Sequence, residues 1–118
     1  MGRFESLDVW KRSVKLCAEI YLALQGSKDF GFRDQITRSG LSVPSNIAEG
    51  FERESHKQFS YFLKFAKGSA GELRTQIYIG IRIGHIEKLT GKKWLKEAEE
   101  ISKMLSALIQ SSSRKAKL

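Results

Sequence analysis

The residues best placed to do chemistry in this chain are cations. Lys57, Lys64, Lys67, Arg74 and Arg82 follow one another at spacings of seven, three, seven and eight. Those spacings nearly close whole turns of an α-helix, so the five side chains project within about a third of its circumference, and Tyr78 joins them. A row of this kind neutralises phosphates, and a tyrosine among cations stacks on an exposed base. Lys92, Lys93 and Lys96, with Arg114, Lys115 and Lys117 beyond them, extend the row on charge alone. The plain alternative is a solvated outer face, which any helical bundle needs.

A second set is polar and nearly neutral. Arg38, Ser42, Ser45 and Glu49 stand four, three and four apart with Asn46 beside them, one side of a helix again. With Glu72 and Gln76 they are expected to build a buried hydrogen-bond network in which Arg33 or Arg38 pairs with Glu72. Such networks set helix register more often than they do chemistry.

Catalytic inventory is thin. His56 and His85 stand far apart, and neither has Cys, His or Asp at metal-ligand spacing. The Glu-x-x-His pairs of a di-iron bundle are missing, as is a phosphate-binding P-loop. Gly68-Ser69-Ala70-Gly71 has the form of a GxxG clamp, but it lies inside a helical pattern with no strand near it. Cys17, the one cysteine, falls on an apolar seam and reads as a small buried side chain. We therefore expect no enzyme, no metal and no cofactor.

The elements that must position these residues are four amphipathic helices. The first is expected from Leu7 to Gln25, with Leu7, Trp10, Val14, Cys17, Tyr21 and Leu24 as its seam. The second, Phe32 to Glu49, continues through Pro44, whose ring meets the carbonyl of Gly40 and should kink the helix; Gly50 is its expected stop. Ser55 to Gln58 has the form of a capping box that opens a third helix reaching about Ile83. Its seam is Phe59, Phe62, Ala66, Ser69, Leu73, Gln76, Gly80 and Ile83. Small residues in the middle, Gly68 and Gly71 included, should admit a close helix. Leu63, Ala70, Ile77 and Ile81 form a second apolar line, which one chain's own helices should leave free as a subunit interface. Thr90 caps a fourth helix, Gly91 to Gln110, with Trp94, Ala98, Ile101, Leu105 and Leu108 inward. The expected fold is thus an all-α, up-down-up-down four-helix bundle over residues 1–110, with 111–118 a disordered basic tail.

Composition agrees with one small domain. The chain has 118 residues and a formal charge of +8. Residues 55–118 hold thirteen Lys and Arg against five Asp and Glu, so the excess lies in the second half and favours polyanionic partners. No run approaches the ~18 apolar residues of a membrane span, and no signal-peptide core opens the chain, so the expected setting is cytoplasmic with no membrane contact.

Ser42-Val43-Pro44-Ser45-Asn46-Ile47-Ala48-Glu49-Gly50 is unusual for a bundle helix, small and polar where large apolar residues belong. With Phe59 to Leu63, Gly68-Ser69 and Glu72-Leu73-x-Thr75-Gln76, it resembles the bacterial family named for the intervening-sequence protein of 23S ribosomal RNA. Phe4 to Trp10 and Phe32 to Ile36 match as well, whereas the fourth helix offers no matching motif. That family is similar in fold to the accessory protein of diversity-generating retroelements, a pentameric barrel that binds nucleic acid. The resemblance implies a ring-like homo-oligomer, a pentamer, and non-catalytic binding of structured RNA or an RNA–DNA hybrid with low sequence specificity. The family name records where a gene was found and does not make the chain a ribosome component. A protein-interaction adaptor that docks an acidic partner is the competing expectation.

Overall fold

The computed structural model describes residues 2–118; Met1, the first residue of the expected 1–110 bundle, lies outside the described residues. After a single 3₁₀ turn at Phe4–Ser6 come α1 (Asp8–Ala23), α2 (Phe30–Glu52), α3 (His56–Arg82) and α4 (Lys88–Ala116). No strand occurs among the described residues. Each helix packs on its sequence neighbour and α1 closes the circle on α4, the two longest seams being α3–α4 and α2–α3. The molecule measures 49 × 21 × 19 Å, and its longest helices are α3 and α4, whose 27 and 29 residues span ~40 and ~44 Å at ~1.5 Å each.

The apolar faces are rotated from where the heptad reading put them. In α1 the buried residues are Val9, Ser13, Leu16, Cys17 and Ile20, while Val14 and Tyr21 are exposed. In α3, Leu63, Ala70 and Ile77 belong to the chain's own core, with exposures of 0%, 1% and 0%. They are therefore not a free subunit interface. Ile81, the fourth of that line, is partly buried and packs against the core. α3 lies between α2 and α4, so its inward face must serve both neighbours at once, and an arc that wide takes in the second apolar line. What the rotation leaves outside is Ile83, and it leaves Phe59, Phe62, Ser69 and Gln76 half-buried.

Close approach occurs at other glycines than Gly68 and Gly71, around which a Cβ would find nothing within 4 Å. At Gly50 a Cβ would come within 2.7 Å of Phe62 Cβ and 3.3 Å of the Phe59 carbonyl oxygen, so this glycine lets α2 and α3 meet at their shared turn. Gly50 accordingly does not stop α2, which continues to Glu52; the turn is made by Glu54, with φ +56°. Pro44 is buried inside the helix. The start of α2 is two residues earlier than expected because Asp29 caps it, its Oδ1 accepting from the Phe32 N–H at 3.1 Å.

Ser55 does cap α3, its Oγ accepting from the Gln58 N–H at 3.3 Å. At the other end Gly84 takes φ +81°, and the N–H groups of His85 and Ile86 both donate to the Gly80 carbonyl. This glycine-terminated turn drops Ile86 into the core. α4 can then begin at Lys88, two residues before Thr90, which is not its cap. The helix also runs through the expected tail: residues 111–116 are helical and Ser112 is buried. Ser113 explains why, since its hydroxyl and that of Ser60 on α3 hydrogen-bond at 2.7 Å. Across the α1–α4 seam, Arg12 grips Glu97 with two bonds of 2.6 and 2.8 Å. The Arg12 hydrogen bond holds the Glu97 carboxyl below the usual carboxylate range, against the opposing pull of burial.

Candidate nucleic-acid interface

α3 presents three faces to its surroundings. One is the core just described. On the α4 side Lys57 and Lys64 border a groove against the end of α4, and turn closure carries the cation row on through Lys67, Arg74, Tyr78 and Arg82. Lys57, Lys64, Lys67 and Arg82 are exposed, Arg74 is half-buried, and Tyr78 is 60% exposed. Only one carboxylate, Glu72, interrupts α3.

Ion pairs occupy five of the chain's other cations. Arg3, Arg12, Arg33, Arg53 and Lys103 each have a carboxylate within 4.0 Å. Among the described residues none of the five α3 cations does, nor do Lys92, Lys93 and Lys96. With no carboxylate beside them, they are available to an external anion. Lys93 borders a groove with Glu19, Leu22, Thr90 and Trp94, on the α1 side of α4 and away from the α3 row.

The polar line resolves into a smaller unit than the sequence suggested. Ser42 Oγ and Ser69 Oγ lie 2.8 Å apart, joining α2 to α3, and Asn46 Nδ2 donates to both the Ser42 carbonyl and its hydroxyl. Glu49 pairs instead with Arg53, one turn on at the C-cap of α2, and Ser45 is exposed. No ion pair joins Glu72 to Arg33 or Arg38 among the described residues. Arg33 lies over the Phe30 ring and reaches Asp34 at 3.8 Å, while Arg38 and Glu72 are both exposed and stay hydrated. Arg38, Ser42, Glu72 and Gln76 do share an open groove of about 550 Å³ between α2 and α3. In it the Gln76 Oε1 is buried with no hydrogen-bond partner.

Tyr61 and Lys117 were not singled out by spacing, yet both border the Lys57–Lys64 groove. Tyr61 stands four residues after Lys57, one turn along the same side, and that spacing was the available signal. Lys117 was named on charge alone, as part of a tail expected to be disordered. No cluster of His, Cys, Asp and Glu able to hold a metal occurs among the described residues, and no helix is long and apolar enough to cross a membrane.

Fold and surface together define a basic, all-α protein of four helices around one core. Residues 5–107 match the family model described as 23S rRNA-intervening sequence protein, and the chain belongs to that family. A similar solved structure is the crystal structure of a protein with unknown function from the S23 ribosomal protein family of Bacteroides thetaiotaomicron. It is 28% identical, with a TM-score of 0.80 over 86% of this chain and 97% of that one. No curated protein matches.

Proposed function

We propose that the protein binds nucleic acid without catalysis, gripping structured RNA or an RNA–DNA hybrid through its phosphate backbone along the α3 row. The observation that carries this reading is that Lys57, Lys64, Lys67, Arg74 and Arg82 follow one side of α3, none with a carboxylate within 4.0 Å among the described residues, in a helix whose one acid is Glu72. Backbone contacts of this kind give affinity without sequence preference and release counterions on binding. A ring-like homo-oligomer, five-membered by family likeness, belongs to the proposal and would multiply the basic field. With Leu63, Ala70 and Ile77 used in the core, the apolar side chains left for self-association are Phe65 and Ile79 on α3 and Ile83 at its C-cap, each about half exposed. A bend of α2 at Pro44 and a cytoplasmic setting complete the reading.

The adaptor alternative keeps one observation in its favour. The open α2–α3 groove of about 550 Å³, lined by Arg38, Ser42, Glu72 and Gln76, offers a partner both charged and neutral polar side chains. Fluorescence anisotropy of labelled structured RNA, titrated with nuclease-treated protein at about 50, 100 and 200 mM salt, separates the two. Binding that weakens steeply with salt and is lost in Lys64→Glu/Lys67→Glu/Arg74→Glu is the expected result. Failure to bind at the lowest salt, with one saturable protein partner recovered, would give the function to the adaptor.

A further inference from the structure

We infer that the groove between the start of α3 and the end of α4 is a subsite for one unpaired nucleotide, its base on Tyr61 and its phosphate among Lys57, Lys64 and Lys117. This rests on the nucleic-acid reading above and names the part of the ligand that α3 alone does not address. The groove encloses about 490 Å³, within the roughly 300–1,000 Å³ of small-molecule sites, and no carboxylate lines it. Its width is set from below. The Ser60–Ser113 hydrogen bond, with Ser60 buried, draws the last turns of α4 onto α3 and carries Lys117 to the rim opposite Lys57 and Lys64.

Tyr61 is built differently from a casual surface aromatic. It is 54% exposed, yet Phe65 and Phe62 meet its ring nearly at right angles, at 4.9 and 5.4 Å between centroids. Two perpendicular neighbours fix the ring's orientation, so stacking on it costs little rotamer freedom. Its hydroxyl makes no hydrogen bond among the described residues, so no internal polar contact accounts for its placement. Bases inside a duplex are already stacked and offer no free face, whereas a looped, bulged or single-stranded nucleotide does. Ser113, Ala116 and Lys117 lie beyond residues 5–107 that the family model matches.

The test compares a labelled single-stranded oligonucleotide with a blunt duplex of equal charge, by anisotropy on the full chain at fixed low salt. Tyr61→Leu should bind the single strand about tenfold more weakly and the duplex within about twofold of wild type, with its salt slope unchanged. Tyr61→Phe should behave as wild type, and Lys117→Ala should lower the single-strand slope by about 0.7. Circular dichroism checks that each variant keeps its helix content. If Tyr61→Leu binds both probes as wild type does, or weakens on both equally, the groove is not a base site while the wider reading stands. A wild-type chain that binds neither probe removes both.

Discussion

Leu63→Ala tests the assignment of the second apolar line on α3 to the core. Leu63 has no solvent exposure, so the change removes buried carbon groups worth ~0.8 kcal/mol each, about 2 kcal/mol together. The surrounding helices can close only part of the space, and the residual cavity raises the loss to about 3 kcal/mol, inside the ~2–5 kcal/mol range of buried Leu→Ala changes. For a domain of this size that lowers the melting temperature by about 12 °C, at about 4 °C per kcal/mol. Urea unfolding followed by circular dichroism, at two protein concentrations about twentyfold apart, is the assay. A core residue gives the same difference from wild type at both concentrations, because no partner's mass action enters. A loss below about 1 kcal/mol, or one that appears only in the dilute sample, would return Leu63 to a subunit interface and refute the packing described here.

Gly50→Ala should destabilise by about 1–3 kcal/mol, since the new methyl meets Phe62 Cβ and a backbone oxygen, neither of which can swing away. Gly68→Ala, in open space on an exposed helix face, should stabilise by about 0.5–1 kcal/mol; thermal melts of the pair check both signs. Ser60→Ala leaves the Ser113 hydroxyl without its partner and should cost about 1 kcal/mol, with faster amide exchange confined to the last turns of α4. Asp29 is held below the ordinary carboxylate range, first by its 2.9 Å bond to His85 and then by the Phe32 N–H. Its folded pKa is the lower one, so the unfolded chain binds more protons below about pH 4. The stabilisation is present above that pH and is lost as the pH falls through the folded value. Asp29→Asn should flatten this part of the acid descent when urea midpoints are measured from about pH 5 to pH 2, and an unchanged descent would mean that the Asp29–His85 pair does not form.

What could be read from the sequence follows physical lines. Helix number, order and the Ser55 cap depend on local chemistry, and so does the cation row, which needs only turn closure. The Ser42–Gly50 segment identified the family. The rotation of α1 and α3 was not legible: Val14 and Tyr21, or Leu16 and Ile20, each make an acceptable apolar stripe, and only the neighbouring helices decide between them. The end of α4 was misread for a related reason. Ser111-Ser112-Ser113 has the composition of a tail, and the hydroxyl on α3 that orders it lies 53 residues away in sequence. In the polar line, spacing placed Arg38 and Glu72 in one groove, but it does not say that two exposed ions prefer water to one another.

The central claim is that the unpaired cations of α3 meet phosphates. Its most direct measurement is the slope of log affinity against log salt for structured RNA, wild type beside Lys64→Ala/Lys67→Ala/Arg74→Ala. Each phosphate contact contributes about 0.7–0.9 to that slope, so the triple variant should be shallower by about 2–3. Equal slopes for the two proteins would show that the α3 row touches no phosphate.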